Sequence, residues 1–582
     1  MIDRRAYPLV RGANALRRKV RTDAMWMLAL SLLTGAAAGL GAVLLGQAAR
    51  GIQRLLFGLA PGEHLSAAGP ISWPVLLWLP VGGAILGATI WLFRRRTPID
   101  VVEANALHGG RIPARDTAQV AIQTILSNGF GASVGLEAAY AQAGGGIASL
   151  FGQRLKLRRA DMRTLVGAGT AAAISATFGA PLTGAFYGFE IVIGAYTPAV
   201  VAPVMLSSIA GAFVAGSLGA TPYVITAGGM HPIGTIDYLF YAALGVVCAL
   251  VGIVMMRMVS AIEQFVRRLR VPAHLAPAIG GLVLVPLAVV SPEVLSGGHG
   301  ALNLNLTTEV TIASLALVIA LKLAASALSL GFGFRGGLFF ASLFLGSLVG
   351  RLFQVALAQV PNLHVLAPDD ATVVGMAALA VGVVGAPMTI SLLVLEVTHD
   401  FAITGVAIAA SLVCATLVRQ TFGYSFSTWR LHLRGETMRS GRDIGWMRAL
   451  TAERLMRTDV PCIAASTAIR DFRARFPLGS TTRVVLVDAE GRYAGIVETA
   501  LAYAPDADLD AAVSTLAALR ETSLAPSANI VTILDAFDVH QADDLAVVKP
   551  RGKVAGLITE RHVRKRYAEE IEKSQRELYG ES

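Results

Sequence analysis

The feature that most constrains the fold is a long stretch of chain with almost no charge. Between Thr164 and Ser260 the charged side chains are Glu190, Asp237 and Arg257. A water-facing layer needs more charge than this, since ordinary globular chains carry about 25% charged residues. The full chain of 582 residues is 15% charged and 54% hydrophobic. We therefore predict a polytopic membrane protein; this composition excludes a disordered chain and disfavours a soluble enzyme.

Two kinds of apolar segment alternate along the first 435 residues. Some reach the length of about 20 residues that a helix needs to cross a bilayer, and these lie near 25–47, 71–93, 198–217, 235–258, 311–329 and 402–422. Shorter pieces, broken by glycine or proline, lie near 117–135, 139–151, 164–178, 181–194, 275–291, 336–358 and 371–399. Irregular backbone survives at membrane depth only where protein buries it or where it lines a cavity. The broken pieces are therefore the better guide to a functional site.

Cations are concentrated just before the first apolar span. They are Arg4, Arg5, Arg11, Arg17, Arg18, Lys19 and Arg21. The positive-inside rule places this N-terminal segment, residues 1–24, in the cytoplasm. We prefer that interpretation of the net charge of +10 to nucleic-acid binding. The span that follows is too long for a signal-peptide core and lacks a small-residue cleavage site, so we expect it to be retained.

The composition changes after about residue 435, where charged, helix-forming and β-alternating segments replace the apolar runs. The change falls near Arg434 to Arg442, a basic stretch suited to a cytoplasmic membrane face. We predict a membrane domain over residues 25–435 and a soluble, cytoplasmic domain over residues 436–582.

The apolar region contains an internal repeat. Gly129-Phe-Gly-Ala-Ser-Val-Gly135 resembles Gly331-Phe-Gly-Phe-Arg-Gly-Gly337, at an offset of 202 residues. Gly179-Ala-Pro-Leu-Thr183 with Glu190 resembles Gly385-Ala-Pro-Met-Thr389 with Glu396, at an offset of 206. A duplicated unit of about 200 residues is typical of transporters whose binding site lies between two repeats. The repeat alone leaves open whether the two units are parallel or inverted.

Each unit contains a Gly-rich break, which suits the binding of a small anion. A helix that begins inside the membrane points unpaired N–H groups and the positive end of its dipole at the cavity. Glycine lets an ion approach the backbone closely, so such a helix start favours an anion. Helix packing through small residues is the alternative explanation for any one motif. Recurrence at matching repeat positions favours the anion site.

Four ionisable side chains stand out in the apolar region. Glu137 directly follows the first break, and a carboxylate within a membrane indicates a functional site. When ionised it would occupy the place of the anion, and when protonated it would leave; an interfacial glutamate is the alternative. Glu190 and Glu396 repeat each other, so we expect equivalent structural or boundary roles. Lys322, inside an apolar run, is predicted to be a buried, paired structural charge.

These motifs resemble the CLC family of chloride channels and proton-coupled anion transporters, over roughly residues 25–435. The likeness is carried by Gly131-Ala-Ser-Val-Gly135-Leu-Glu137, Phe178-Gly-Ala-Pro181-Leu and Gly336-Gly-Leu-Phe339-Phe340-Ala341. The resemblance implies an all-α membrane domain of two inverted repeats with broken helices. It implies that Glu137 is the gating glutamate and that backbone N–H groups at Gly135, Leu338 and Phe339 hold the anion. It also implies a homodimer with one anion path in each subunit.

The chain departs from the family pattern at several positions. Arg96-Thr97-Pro98-Ile99-Asp100 stands where the family has Gly-Ser-Gly-Ile-Pro, so Thr97 is the candidate for the central anion-binding serine. Tyr424 is the candidate for the central tyrosine, with Phe426 and Ser427 near the same place. Ile191 stands where many coupled members have a proton-relay glutamate. Isoleucine takes up no proton, which favours a passive or loosely coupled path, with neighbouring Glu190 as the alternative group for a proton path.

The C-terminal part resembles a pair of cystathionine-β-synthase (CBS) modules, which predicts a soluble α/β domain. Residues 484–497 read as strand, turn and strand, and residues 546–548 and 553–559 repeat that pattern before a charged helix. Such modules often bind an adenine nucleotide through a Thr or Ser and an Asp three residues later. Here Thr559 is followed by His562, so nucleotide binding and a purely structural or dimerising role both stay open.

The sequence thus predicts a CLC-type membrane protein, and not an enzyme, that conducts small anions, above all chloride. A proton-coupled antiporter for chloride or fluoride is the alternative. A cation transporter regulated by CBS modules is a more remote hypothesis, because the breaks expose helix N-termini and few carboxylates. His399-Asp400 has no convincing partner for a membrane hydrolase.

Two further expectations concern ligands and location. The scattered Cys248, Cys414 and Cys462 support neither a disulfide framework nor a zinc site, and no metal is expected. We expect a multi-pass protein of the cell's inner membrane, in contact with lipid, with its N-terminus and CBS pair in the cytoplasm.

Overall fold

The computed structural model describes residues 24–93, 97–220, 233–302, 311–361, 366–423, 425, 429 and 450–579. The chain divides into two compact units, residues 1–443 and 444–582. The predicted boundary between residues 435 and 436, with its basic stretch, lies outside the described residues.

The described part of the first unit is helical. Its helices are α1 (Ala24–Phe57), α2 (Trp73–Leu76), α3 (Trp78–Leu92), α4 (Val101–Leu107), α5 (Ala114–Gly129), α6 (Glu137–Arg154), α7 (Arg159–Phe178), α8 (Pro181–Tyr187), α9 (Pro198–Ser217), α10 (Thr235–Arg268), α11 (Ala276–Val290), α12 (Ile312–Gly331), α13 (Phe339–Ala358), α14 (Pro368–Val384), α15 (Pro387–Thr398) and α16 (Phe401–Thr421). A π-helical turn, Gly188–Ile193, continues α8, and 3₁₀ turns form at Leu65–Ala67 and Pro292–Val294.

Seven helical segments in the described ranges are long and apolar enough to cross a membrane. They are α1, the segment formed by α2 and α3, and α9, α10, α12, α13 and α16. Six of them match the long apolar runs predicted from the sequence. The seventh, α13, differs from the prediction of a broken piece near 336–358, because the break at Gly336 and Gly337 precedes the helix, which then continues for 20 residues.

Glycines at matching positions of the two repeats bring their helices into close contact. Where α6 crosses α7, a Cβ on Gly144 would overlap the carbonyl oxygen of Gly169, and a Cβ on Gly169 would overlap that of Gly144. Where α13 crosses α14, Gly346 and Gly375 have the same reciprocal relation. Such small residues let helix backbones approach closely in a membrane. These glycines, which lie outside the repeat motifs, therefore serve helix packing.

The two repeats exchange equivalent hydrogen bonds. The N–H of Ser133 donates to Oγ of Ser329 at 3.0 Å, and the N–H of Arg335 donates to Oγ of Ser127 at 2.9 Å. Both the donors and the acceptors are separated by the repeat offset of 202 residues. A reciprocal exchange of this kind is the signature of a two-fold relation. The two repeats of the first unit therefore pack as a pseudo-symmetric pair.

The second unit is an α/β unit with its own internal repeat. Its elements are α17 (Ala452–Leu455), β1 (Cys462–Ala464), α18 (Ile469–Arg475), β2 (Arg483–Val487), β3 (Tyr493–Glu498), α19 (Ile530–His540), β4 (Asp544–Val548), β5 (Val554–Thr559) and α20 (Glu560–Tyr579). Strand β2 pairs parallel with β1 and antiparallel with β3, while β4 pairs antiparallel with β5. Both hairpins shift register at the same point, between Leu486 and Val487 and between Val547 and Val548. The strand, turn and strand pattern predicted twice is thus present twice.

Candidate functional site

The two Gly-rich breaks meet in the middle of the first unit. We call residues 129–137 the first break and residues 331–339 the second break. The N–H of Gly135 donates to the carbonyl of Gly337 at 2.9 Å, and the N–H of Gly337 donates to the carbonyl of Gly135 at 3.1 Å. The two segments run antiparallel at this bridge. Helices α6 and α13 begin two residues later, so two membrane-embedded helix starts lie side by side.

The breaks share one unusual backbone conformation. Gly131 and Gly333 both have φ of 92°, in the left-handed region that favours glycine. Each follows a helix end, α5 at Gly129 and α12 at Gly331, and turns the chain towards the bridge. The matching sequence of the two breaks therefore gives matching turns.

Glu137 is the first residue of α6 and is almost fully buried, with 3% of its surface exposed. Its carboxylate folds back over the bridge: a Cβ on Gly135 would overlap Oε2, and a Cβ on Gly337 would lie 3.1 Å from it. The backbone N–H groups of Glu137 itself and of Phe340 face the carboxylate. Oε2 has no hydrogen-bond partner among the described residues. The carboxyl group thus lies in front of the helix starts, where the sequence predicts an anion.

Leu338 and Phe339, the other predicted anion-binding positions, are buried at the start of α13. The Phe339 ring lies 5.2 Å from that of Phe178 and 6.2 Å from that of Tyr187, between ring centroids. Phe178 also stacks on Phe340 at 6.3 Å. Gly135, Glu137, Leu338 and Phe339 are therefore brought together beside a column of aromatic rings.

Glu190 and Glu396 each accept hydrogen bonds from the other repeat. Glu190 accepts hydrogen bonds from the N–H groups of Met388 and Thr389, at 3.1 and 2.8 Å, and from the Thr389 hydroxyl at 2.6 Å. Glu396 accepts the equivalent three bonds from Leu182 and Thr183, at 2.7 to 2.8 Å. Each carboxylate thus caps the N-terminus of the Gly-Ala-Pro helix of the other repeat, where carboxylates are stabilised. Their contacts are equivalent, as their repeated positions predict.

Lys322 of α12 is fully buried, as predicted. Its Nζ donates to the carbonyls of Val294 and Ser296, at 3.1 and 2.9 Å, and lies 5.7 Å from the ring centre of Phe344. The charge therefore holds the loop before residue 300 in place through backbone oxygens.

Three further predicted or considered positions are Thr97, Tyr424 and Asp400. Thr97 is exposed, just before α4, and Asp100 caps that helix by accepting from the N–H of Val102. Tyr424, with Phe426 and Ser427, lies outside the described residues. Asp400, considered for a hydrolase, caps α16 through the N–H groups of its first turn.

In the second unit, Thr559 ends β5 opposite Asp544, the first residue of β4. Arg483, at the equivalent position of β2, donates to Asp543 at 2.7 Å and to Asp544 at 2.9 Å. Burial raises the pKa of Asp544, and the Arg483 guanidinium opposes that rise. These contacts join the two halves of the unit beside Thr559.

Reasoning from the sequence missed three side chains near the breaks. Tyr187 lies beside Phe339, and the charged groups that act on it are Asp100 and Glu137. Arg335, inside the second break, donates to Oε1 of Gln123 at 2.8 Å. His299 stacks on Phe340 with 3.5 Å between ring centres. The sequence features that could have indicated them were, in the same order, a phenol in the Gly-Ala-Pro helix, a cation within a Gly-rich break, and the run Gly297-Gly-His-Gly300.

Comparisons with known proteins identify the family and the fold. The voltage gated chloride channel family model matches residues 96–419. A ClcB-like protein of Ralstonia nicotianae is 29% identical over 411 residues, which cover 67% of this chain and 92% of that protein. A slow cyanobacterial Cl⁻/H⁺ antiporter matches with a TM-score of 0.61 at 20% identity, over 70% of this chain and 97% of that one. A eukaryotic CLC transporter matches with a TM-score of 0.60 at 20% identity, over 92% of this chain and 97% of that one.

These matches confirm the predicted fold class of the first unit, a helical membrane unit of two inverted repeats. The second unit has the α/β elements that the sequence predicts. The matches also confirm a multi-pass membrane protein that is a channel or transporter and not an enzyme. The chain belongs to the CLC family of voltage-gated chloride channels and related anion transporters.

Proposed function

We propose that this protein conducts small anions, chloride above all, through a path between the two breaks that the ionised carboxylate of Glu137 closes. The observation that supports this most directly is the position of that carboxylate. It lies in front of two helix starts, against Gly135 and Gly337, with Oε2 lacking a hydrogen-bond partner among the described residues. An anion attracted to the same N–H groups and dipoles competes with it for one place. Protonation removes its charge and lets the anion enter.

We further propose that transport is passive or loosely coupled to protons. Ile191 takes up no proton at the position of the family's relay glutamate. The neighbouring carboxylate, Glu190, already accepts three hydrogen bonds from Met388 and Thr389. A proton placed on it would weaken these bonds, so both positions oppose a relay through this helix.

The proposal extends to assembly and orientation. The family resemblance implies two subunits, each with its own path. The cations before α1 favour a cytoplasmic N-terminus, and the resemblance adds a cytoplasmic CBS-like unit. A location in the inner membrane is part of the same proposal.

The test is simultaneous recording of anion and proton flux from liposomes that contain the purified protein, with chloride, fluoride and nitrate in turn. The wild type should release chloride faster at acidic pH. Glu137→Gln, which cannot ionise, should remove that pH dependence and raise flux at pH 7.5 by about fivefold, since a charge at a helix N-terminus is worth about 1 kcal/mol. Glu263→Gln is the matched control, because Glu263 lies on α10 in a pair with Arg267.

The competing function is a proton-coupled antiporter for chloride or fluoride. It is supported by the likeness to the cyanobacterial Cl⁻/H⁺ antiporter and by the titratable group in the path. Uphill proton movement driven by a chloride or fluoride gradient would establish it. Well-folded protein that carries no anion at all would overturn both functions.

A further inference from the structure

The segment before α4 is fixed to the helix that carries the gate carboxylate. Nε2 of Gln142, on α6, donates to the carbonyl of Ile99 at 3.0 Å, and the N–H of Ile99 donates to the carboxylate of Asp116 at 3.0 Å. Gln142 follows Glu137 by five residues, which is about 7.5 Å along the axis of α6. Asp100, the next residue after Ile99, is therefore held within about two helix turns of the gate.

Helix α4 is also fixed to the helix that carries Tyr187. Nδ2 of Asn105, on α4, donates to the carbonyl of Val192 in the π-helical turn at 2.8 Å. That turn directly follows Tyr187, and π-helical turns are frequent at functional sites. The charged groups that act on Tyr187 are Asp100 and Glu137. One half-buried phenol thus lies within electrostatic reach of the carboxylate that begins α4 and of the carboxylate at the gate.

Helices α4 and α6 carry three buried oxygen atoms without a hydrogen-bond partner among the described residues. They are Oδ1 of Asn105, Oε1 of Gln142 and Oε2 of Glu137. Asn105 and Gln142 are fully buried. Buried polar atoms are normally paired with protein groups or with ordered water. These acceptors therefore mark polar places that water can occupy between the start of α4 and the gate.

The other charged groups around Asp100 and Tyr187 contact partners of their own. Asp116 accepts the N–H of Ile99, Glu103 lies 3.9 Å from His108, Arg163 donates to the carbonyl of Ile193 at 3.3 Å, and Glu190 and Glu396 cap α15 and α8. Asp100 is exposed, whereas the other carboxylates in this described group are buried or half-buried. Asp100 is therefore the carboxylate best placed to take a proton from water.

We propose that Asp100 and Tyr187 are proton-transfer residues that supply Glu137 with protons from the water on the α4 side of the membrane. Asp100 takes a proton from water. The Tyr187 hydroxyl gives its own proton to Glu137 and receives one from Asp100, through bridging water where the groups do not touch. One proton moves, and Asp100 and Tyr187 return to their starting forms. The route avoids Ile191 and Glu190. It rests on the proposed function and adds a side from which the gate is protonated.

The experiment records chloride current across membrane patches excised from cells that express the full-length protein. All copies in a patch share one orientation, so each face can be acidified alone. The pH is stepped from about 7.5 to about 5, towards the ordinary range of carboxyl groups. The current of the wild type should rise after acid on either face. Glu137→Gln should respond to neither face, because its gate carries no charge to remove.

Asp100→Asn and Tyr187→Phe should each slow the rise that follows acid on one face by at least about tenfold, since positioned acid–base groups speed proton transfer by about 10²–10⁴-fold. The response to acid on the other face should stay as in the wild type. A merely structural role would change both responses alike. Asparagine is also a good helix N-cap, and phenylalanine keeps the ring beside Phe339, so both variants should fold.

Asp161→Asn is the matched control, because Asp161 lies in the first turn of α7, and its neighbour Met162 contacts Gly110, which follows α4. It should respond as the wild type does. The inference is overturned if Asp100→Asn and Tyr187→Phe both keep the response of the wild type on both faces. Absence of chloride current, or a response to acid that persists in Glu137→Gln, would instead refute the proposed function. The two failures are therefore distinguishable.

Discussion

The first and second breaks have the same backbone conformation but lead into side chains of opposite polarity. Both turn at a glycine with φ of 92°, both form the bridge between Gly135 and Gly337, and both start a helix two residues later. The first break continues into Glu137, whereas the second continues into Phe339 at the equivalent position. The first thus brings a titratable carboxylate to the helix starts, and the second brings an apolar ring that packs on Phe178.

This difference separates what builds the cavity from what controls it. The pseudo-symmetric backbone supplies two helix starts, and with them a place where negative charge is favourable. Only one repeat supplies a group that competes for that place. Symmetric positions should therefore respond equally to mutation where they build the fold, and unequally where they face the Glu137 carboxylate.

The largest expected effect concerns the glutamate caps, where the repeats should respond equally. Glu190→Ala and Glu396→Ala each remove the acceptor of three hydrogen bonds at a partly buried helix start. We expect each to lower the free energy of unfolding by about 2 kcal/mol, because the N–H groups left behind lose their partner. Thermal unfolding of the purified protein in detergent, followed by tryptophan fluorescence, measures both.

The same two variants also test the role of Glu190 in proton movement. In the folded fraction, the ratio of proton to anion flux should be the same for both variants as for the wild type. A loss of proton flux that is confined to Glu190→Ala would contradict the equivalence and assign a proton path to that residue.

The next effect should be unequal between the repeats. A methyl group on Gly135 would overlap Oε2 of Glu137, whereas one on Gly337 would lie 3.1 Å from it. The carboxylate is the end of a flexible side chain, so Gly135→Ala should displace it and leave the fold intact. We expect Gly135→Ala to raise chloride flux at pH 7.5 by about fivefold, as Glu137→Gln does, because the negative group leaves the helix starts. Gly337→Ala is the matched control and should stay close to the wild type in the same liposome assay; equal fluxes would refute the inequality.

The smallest effect extends the comparison to the repeat of the second unit. Arg483 and Asp544 are the first residues of the equivalent strands β2 and β4. Their side chains differ in charge and form an ion pair with each other. Because burial raises the pKa of Asp544 in the folded unit, unfolding releases a proton when the pH lies between the unfolded and the folded pKa of this carboxyl group. Stability should therefore fall as pH rises through that window, by about 1 kcal/mol or less, and Asp544→Asn should remove the dependence. Hydrogen exchange of the β4 amides in the full-length protein measures this.

Asp543→Asn is the control for that measurement, because Asp543 also pairs with Arg483 but is mostly exposed. It should keep the pH dependence of the wild type. A dependence that persists in Asp544→Asn would show that another group is responsible.

The apolar runs predicted most of the membrane helices, because bilayer thickness fixes both the length and the polarity of a spanning helix. The repeat motifs predicted which segments meet, and Gly135, Glu137, Leu338 and Phe339 do come together. The role of glycine was only partly predicted. Gly144, Gly169, Gly346 and Gly375 serve helix crossings, which sequence spacing alone does not separate from helix breaks.

Side chains contributed from outside the motifs were not predicted. His299 reaches Phe340 because Lys322 and Asn128 fix Ser296 from two other helices. The signal for Tyr187 was a single phenol in an apolar helix, and its contact with Phe339 spans the two repeats. Thr97, aligned with a family position, is exposed. Pairs so distant along the chain depend on how helices pack, which no local pattern encodes.

The sequence by itself determined the membrane class, the duplicated unit and the carboxylate at the break, because charge, hydrophobic length and glycine act locally along the chain. The tertiary structure alone decided which groups lie next to each other: the carboxylate of Glu137 over the Gly135–Gly337 bridge, each cap glutamate on the other repeat, and the His299 ring on Phe340. Those juxtapositions arise from the two-fold packing of repeats about 200 residues apart. The interaction energies between these groups therefore arise only once the helices are packed.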